Sequence, residues 1–187
     1  IELDIFQSPL KGKHNYENIL SAFIACTLCG LENESIIDSI NIFDSLPHRL
    51  EEVYSKKGSR IYNDSKATNL HATCAAIDAI ESNIILILGG IDKNESDFSI
   101  LKTYKNKIQK IVLYGESREF INQQLASYFD VYSYQKFDQA VYKSIQLSNS
   151  SNNILLSPAC ASFDQFENYE ERGNYFKEIV FNYYEKN

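Results

Sequence analysis

Two short, uninterrupted apolar runs constrain the fold of this chain more than any other feature. They are IILIL at residues 84–88 and IVL at residues 111–113. A strand with one solvated face alternates polar and apolar residues, whereas a continuous apolar run indicates a strand buried on both faces. Segments with helical spacing lie between these runs, and such alternation is typical of a mostly parallel sheet. We therefore predict an α/β fold in which helices cover both faces of the sheet.

The predicted elements follow one another regularly from about residue 50 to the end. A β-hairpin is predicted at 50–56 and 59–63, because the two segments alternate around Lys57-Gly58. Further strands are predicted at 84–88, 108–114, 129–132 and 154–157. Helices are predicted at about 69–81, from 117 to about 127, at 137–148, and from about 164 onward.

The first 45 residues have a different character and predict two helices. Apolar residues at spacings of three and four predict a helix at 14–30, with Asn15 as N-cap and Gly30 at its C-terminal end. A second helix is predicted at 34–45, and Pro47 ends it. The sequence LPHR at 46–49 thus marks a predicted boundary between a helical region, 1–45, and an α/β domain, 46–187.

Charge and composition disfavour several classes of protein. The 18 basic and 25 acidic residues give a net charge of −7, whereas a duplex nucleic-acid binder usually carries a basic face. No segment reaches the ~20 apolar residues of a membrane span, and no secretory leader is recognised. We therefore expect neither a nucleic-acid nor a membrane partner. Because the sequence contains no methionine, we expect the chain to be processed or to be part of a longer one.

The four cysteines are interpreted as reduced residues without a metal. Cys26 and Cys29 have the CxxC spacing of zinc and redox sites, but no second such pair follows. Both lie among small and apolar residues of the first predicted helix, where buried cysteines are common. Reduced thiols fit a cytoplasmic protein.

Four loops should hold the chemistry, since ligands of parallel α/β sheets bind beyond the carboxyl ends of the strands. The first, NDSKATN at 63–69, precedes a helix whose amino terminus attracts anions. Lys66 could hold a phosphate or carboxylate there, and Asp64 could accept from a ribose. Capping explains the same polar residues about equally well. The other three loops are at 89–98, 115–117 and 157–164.

The later loops leave comparable alternatives open. Gly89-Gly90 permits a close approach to a ligand, with Lys93 as a carboxylate contact, but also suits a tight turn. Ser162 could donate a hydrogen bond to a carboxylate; no histidine stands in a motif-like relation to make it a nucleophile. Arg49, at the predicted boundary, is either a phosphate clamp or one half of a surface ion pair.

Taken together, these segments resemble the Mur ligase family. The matching stretches occur in the family's order along nearly the whole chain: GKHNYEN at 12–18, LPHR at 46–49, NDSKATN at 63–69, LGG at 88–90 with Lys93 and Asp97-Phe98, and LSPACASFDQF at 156–166 with ERGN at 171–174. The NDSKATN stretch and the SPACAS–DQF stretch are the most specific to the member of the family that adds D-glutamate.

The resemblance implies a cytoplasmic, three-domain, ATP-dependent ligase that joins D-glutamate to UDP-N-acetylmuramoyl-L-alanine through an acyl phosphate. Residues 1–45 would be the tail of its central, ATP-binding domain, and 46–187 its Rossmann-like C-terminal domain. The Mg²⁺ ligands would lie in the rest of the same polypeptide, so this chain alone is expected to be an inactive monomer. The alternatives are a sibling Mur or folylpolyglutamate-type ligase, or a non-enzymatic small-molecule-binding α/β module.

The resemblance also implies roles for residues that match its motifs. Asn15 and Asn18 are expected near the nucleotide, Arg49 at its phosphates and Asp64 at its ribose. D-Glutamate is expected to contact residues at the mouth of the sheet, namely Lys66, Thr68, Lys93, Ser162, Phe163 and Tyr169. This sequence departs from the family pattern at Phe163, Tyr169 and Ile91. No catalytic residue and no metal ligand is expected in the chain.

Overall fold

The computed structural model describes residues 8, 10, 13–43, 46–56, 58–81, 83–92 and 96–185, with only the backbone of Lys13 and His14. The chain divides into two compact units, Ile1–Leu46 and Pro47–Asn187. The division lies one residue from the predicted boundary. Within the described ranges, no helix is both long and apolar enough to cross a membrane.

The first unit contains two helices, α1 (Lys13–Leu28) and α2 (Asn33–Asn41). Gly30 lies at the C-terminal end of α1, as predicted, and has a positive φ of 85°. Its N–H bonds to Thr27 O (3.0 Å), and Leu31 N–H bonds to Cys26 O (3.2 Å). This is the Schellman arrangement, which glycine adopts without a Cβ penalty. The prediction of Asn15 as N-cap is wrong, because α1 begins two residues earlier.

The apolar spacing of α1 overstated how much of that helix is buried. Ile19 is buried, but Leu20, Ile24 and Leu28 are 51%, 49% and 83% exposed. Cys29 is likewise exposed, contrary to the expectation of a buried residue, because it follows the last helical turn. In α2, Ile36 is buried, and the helix ends at Asn41, earlier than predicted.

The second unit is built on one six-stranded sheet. Its spatial order is β1-β2-β6-β3-β4-β5, and every neighbouring pair is parallel except the hairpin of β1 and β2. The strands are β1 (Glu51–Lys56), β2 (Ser59–Asn63), β3 (Ile84–Gly89), β4 (Ile108–Tyr114), β5 (Asp130–Ser133) and β6 (Asn153–Ala159). This sheet confirms the predicted mostly parallel α/β fold.

Helices cover both faces of the sheet, and successive strand residues supply the two cores. In β3, Leu86 and Leu88 pack with one core, and Ile85 and Ile87 pack with the other. The first core contains residues of α3 (Leu70–Ala79), of a 3₁₀ helix (Phe98–Tyr104) and of α4 (Arg118–Leu125). The second contains residues of α5 (Phe137–Leu147) and α6 (Tyr169–Glu185). Burial on both faces explains why β3 has no polar residue.

Two elements differ from the sequence prediction. The segment between β3 and β4 was expected to be a loop but contains the 3₁₀ helix, which Asp97 caps by accepting from Ser99 N (3.0 Å). The last helix begins at Tyr169, not at about 164, because residues 162–166 form a turn in which Ser162 O accepts from Phe166 N (3.0 Å). The helical spacing of Phe163 and Phe166 therefore misled the prediction.

Candidate functional site

Three loops meet at the carboxyl edge of the sheet. Strand β6 lies between β2 and β3 and is parallel to both, so the loops that follow these strands are neighbours. Ala159 N–H bonds to Ala67 O (3.0 Å), which joins the loop after β6 to the loop after β2. Ile91 and Ala161 exchange two backbone hydrogen bonds of 2.9 and 3.0 Å, which join the loop after β6 to the loop after β3. The backbone of this edge is thus a connected frame.

The paired glycines after β3 serve close packing of the backbone. Gly89 and Gly90 have φ values of 136° and 124°. A Cβ at Gly89 would collide with Tyr114 O, and one at Gly90 would collide with Ala161 O. Of the two readings of this motif, the tight turn accounts for both glycines without a ligand.

Asp64 is buried at this edge and both of its carboxylate oxygens are used. Oδ1 accepts from Leu50 N (3.1 Å), and Oδ2 accepts from Ser157 Oγ (2.7 Å). Burial raises the pKa of Asp64 to about 6, while these hydrogen bonds and the charge of Arg49 act in the opposite direction. The residue therefore connects the turn before β1 with the end of β6, and it retains lone pairs for a further donor.

Lys66 is half-buried in the same loop as Asp64, and its charge contributes to lowering the pKa of Glu170. Its Nζ lies 5.5 Å from the centre of the Tyr169 ring, and it forms no ion pair with any residue the structure describes. Its backbone N–H bonds to His48 O (3.1 Å), which holds the loop. Thr68 is exposed two residues further on. A cation with a neighbouring hydroxyl is suited to a carboxylate or phosphate.

Ser162 and Phe163 form the tip of the loop after β6. Ser162 is 2% exposed, and its hydroxyl bonds to no side chain or backbone group of the described residues. Phe163, by contrast, is 69% exposed. A serine hydroxyl without an internal partner can donate to a ligand, and the role of Ser162 as a carboxylate contact stays a prediction.

Arg49 is presented to solvent by a strained turn. The flanking residues His48 and Leu50 both have positive φ values, 63° and 49°. Residues other than glycine rarely adopt this conformation because it is strained. The His48 ring is buried, and its Nδ1 lies 3.0 Å from the Asn63 amide nitrogen, within hydrogen-bonding distance. Burial lowers the pKa of His48, with Lys177 acting in the same direction. A neutral, enclosed His48 thus anchors the turn.

The charge of Arg49 acts at the same edge as Asp64 and Lys66. It lowers the pKa of Asp64 and also acts on Tyr169, whose ring lies beside Lys66. Arg49 makes no ion pair within the described ranges. Arg49, Asp64, Lys66 and Tyr169 are therefore brought together.

Three predicted residues are not part of this cluster as described. Lys93 lies outside the described residues. Asn15 and Asn18 lie on α1 in the first unit, where Asn15 is buried and Asn18 exposed. Their expected roles at a nucleotide stay predictions.

Sequence reasoning missed three polar residues that build this edge. Ser65 and Arg172 are both completely buried, and Arg172 donates to Ser65 Oγ (2.9 Å) and Ser65 O (2.7 Å). Asp164 Oδ2 accepts from Glu116 N (3.2 Å), and its Oδ1 is buried with no partner among the described residues. All three stand inside motifs quoted above, Arg172 in ERGN at 171–174, but nothing in these patterns marks the arginine as buried.

The side chains at this edge supply charge and hydrogen bonds. Burial raises the pKa of Cys160 to about 12, so its thiol is protonated at neutral pH. No group of three or more histidine, cysteine, aspartate or glutamate side chains in the described part could hold a metal ion. The edge presents two cations, Arg49 and Lys66, and the hydroxyl of Ser162, a combination suited to binding an anion.

The comparison with protein families gives one match, described as "Mur ligase, glutamate ligase domain", over residues 48–160. Curated relatives named UDP-N-acetylmuramoylalanine--D-glutamate ligase include those of Bdellovibrio bacteriovorus, 43% identical over 91% of this chain, and Prochlorococcus marinus, 41% identical over 93%. The chain spans only 37% and 38% of the lengths of these two proteins.

Solved structures share the fold at low sequence identity. A pseudomurein peptide ligase type C from Methanothermus fervidus matches 94% of this chain and 37% of its own, with a TM-score of 0.69 and 18% identity. MurF from Acinetobacter baumannii matches 91% of this chain and 39% of its own, with a TM-score of 0.66 and 15% identity. Both similarities concern the fold alone.

Proposed function

Because this chain belongs to the Mur ligase family, through that family's glutamate ligase domain, we propose that it is the C-terminal part of a D-glutamate-adding ligase. The substrates of the whole enzyme would be ATP, UDP-N-acetylmuramoyl-L-alanine and D-glutamate. The sequence similarity to relatives with that name supports the choice of amino acid. These substrates would place the enzyme in the cytoplasm.

The observation that carries the proposal is the group of unpaired anion-binding side chains at one edge of the sheet. Lys66 forms no ion pair and Ser162 no side-chain hydrogen bond within the described residues. D-Glutamate carries two carboxylates, so at least two positive or donating groups are needed to replace their hydration. Lys66, Thr68 and Ser162 would supply them, together with Lys93.

The reaction divides between this edge and the rest of the polypeptide. The carboxylate of the UDP-linked substrate would attack the γ-phosphorus of ATP, which releases ADP and forms an acyl phosphate. The unprotonated amine of D-glutamate would then attack the acyl carbon, and inorganic phosphate would leave as the amide forms. Lys66 and Ser162 would hold the amino acid so that its amine faces the acyl carbon, a contribution of orientation.

Arg49 and Asp64 would serve the nucleotide. Arg49 is exposed and unpaired in the described part, so its planar fork is free to bind two phosphate oxygens. Asp64 would accept from a ribose hydroxyl with its remaining lone pairs. Asn15 and Asn18, on α1, would lie near the nucleotide, as the resemblance implies. Mg²⁺ would be held by the rest of the same polypeptide, as the resemblance to the family implies.

The test is amino-acid-dependent ADP release by the intact ligase that contains this chain. UDP-N-acetylmuramoyl-L-alanine and ATP are supplied with D-glutamate, L-glutamate, D-aspartate, L-lysine or meso-diaminopimelate in turn. We expect D-glutamate to be used preferentially. Preference for another amino acid would indicate a sibling ligase, and the absence of ADP release with any of them would indicate a binding module.

Lys66→Ala in the intact ligase tests the site. Losing a charged hydrogen bond of about 1.5–3 kcal/mol should raise the KM for D-glutamate by about tenfold or more. Lys105→Ala is the matched control, because Lys105 is exposed before β4, at the opposite edge of the sheet. An equal effect of both substitutions, or none from Lys66→Ala, would contradict the assignment.

A further inference from the structure

Arg172, on the first turn of α6, is completely buried, although arginine is rarely found inside proteins without a carboxylate. Its acceptors are all neutral: Ser65 Oγ for Nε (2.9 Å), Ser65 O for one terminal nitrogen (2.7 Å), and Tyr114 Oη and Cys160 O for the other (3.1 Å each). It forms no ion pair within the described residues. The hydrogen bonds of Arg172 therefore do not neutralise a negative charge.

The acceptors of Arg172 belong to the loops that carry the candidate amino-acid contacts. Ser65 precedes Lys66 in the loop after β2, and Cys160 lies two residues before Ser162 in the loop after β6. Ser65 Oγ in turn donates to Tyr169 O (2.8 Å), whose ring lies beside Lys66 Nζ. One guanidinium thus sets the relative position of Lys66, Ser162 and Tyr169.

Stability alone does not account for this arrangement. Taking a charged group out of water is costly, and buried ionic groups can often be replaced by apolar residues without loss of stability. A planar group with five donors in fixed directions does something an apolar residue does not: it fixes the angles and separations of the backbone groups that surround it.

We propose that Arg172 is a positioning residue for the amino-acid site, acting through Ser65 and Cys160 to hold Lys66 and Ser162 at the separation that a small dicarboxylate requires. This inference rests on the proposed function. Asp64 is the other neighbour of Ser65, but its carboxylate is held by separate donors, Leu50 N and Ser157 Oγ, so we expect the nucleotide contact to depend less on Arg172. The effect of losing Arg172 should therefore fall on the amino acid and spare ATP.

The experiment compares Arg172→Lys and Ser65→Ala in the intact ligase, measuring the KM for D-glutamate, ATP and UDP-N-acetylmuramoyl-L-alanine together with Tm. Lysine keeps the charge but cannot reach all the acceptors, and Ser65→Ala removes only the hydroxyl between Arg172 and Tyr169. We expect each to raise the KM for D-glutamate by about tenfold, equivalent to about 1.4 kcal/mol, with less than about twofold change in the KM for ATP.

Ser144→Ala is the matched control, because Ser144 is also completely buried but bonds only within α5, to Ala140 O (2.8 Å). It should leave every KM unchanged. Parallel rises in all three KM values that follow a lower Tm would overturn the proposal, as would an unchanged D-glutamate KM. If Arg172→Lys does not fold, Ser65→Ala decides alone.

The two proposals fail in different measurements. If the unmodified ligase does not use D-glutamate, the proposed function is wrong, and the variants are then measured with the amino acid that it does use. If the unmodified ligase uses D-glutamate but both variants bind it normally, only the role of Arg172 is wrong.

Discussion

Asp64 couples the free energy of unfolding to pH through a single buried carboxyl. Burial raises its pKa to about 6, well above the value of about 3.9 expected in an unfolded chain. Between these two values the folded state holds a proton that the unfolded state has released. By linkage, the stability contributed by this group therefore falls as pH rises from about 4 to about 6, and stays low above that.

Asp64→Asn should remove this dependence. One pKa unit corresponds to about 1.36 kcal/mol. As pH rises from about 4 to about 7, the free energy of unfolding of Asp64→Asn should therefore increase by about 3 kcal/mol relative to that of the unmodified protein. Urea unfolding at several pH values measures the difference. Asp130→Asn, at an exposed carboxyl that begins β5, is the control. Parallel curves for Asp64→Asn and the unmodified protein would contradict the argument.

Gly173→Ala should disturb the turn that presents Arg49. A Cβ at Gly173 would collide with the His48 ring, which is enclosed and bonded to Asn63. Overpacking of this kind costs about 1–3 kcal/mol, and we expect that loss in chemical denaturation. Because His48→Ala vacates the space, the double substitution should be less destabilised than the sum of the two single ones. Additivity would show that the two residues do not interact.

Single residues of the site could be predicted only where they stand in a motif and face outward. Arg49 and Lys66 were recognised in this way, and the structure brings them together. Ser65 stands in the same motif as Lys66 but accepts from Arg172, whose partners Ser65 and Tyr114 are 107 and 58 residues away in sequence. Such contacts have no local pattern, so no sequence argument based on spacing could find them.

At the scale of elements, α3 shows that the NDSKATN motif also serves the fold. Asn69 accepts from Ala72 N (2.9 Å) and caps the helix. Asn69→Ala should lower the unfolding free energy by about 1 kcal/mol, whereas Asn69→Asp should retain most of the cap. Thermal unfolding of the two variants measures this, and equal losses would contradict capping. The capping interpretation therefore applies to Asn69, whereas the anion site at Lys66 stays a proposal.

The strands were more predictable than the helices. Residues buried on both faces are apolar, and that rule locates β3 and the IVL segment of β4, although β4 also contains Gln109 and Lys110 near its start. The 3₁₀ helix was missed because a short helix needs only a local cap, here Asp97, and no repeating apolar stripe. The start of α6 was misplaced because two aromatic residues of the preceding turn matched the helical spacing by chance.

At the scale of the whole molecule, the second unit carries a complete core. All six strands and both hydrophobic clusters lie within Pro47–Asn187. We expect residues 47–187, expressed without the first unit, to unfold in a single cooperative transition, as domains of ~140 residues generally do. Loss of that transition, seen by circular dichroism or amide exchange, would show that the first unit is required for folding.

The two edge strands of the sheet, β1 and β5, are poorly suited to pairing with strands of other molecules. Strand β1 has an irregular register between Glu52 and Tyr54, and Tyr54 stacks on Tyr184 of α6 at 4.0 Å. The opposite margin, β5, is only four residues long. A foreign strand would find no long, flat row of free amide groups to join, so the sheet resists growth into fibrils despite its apolar interior.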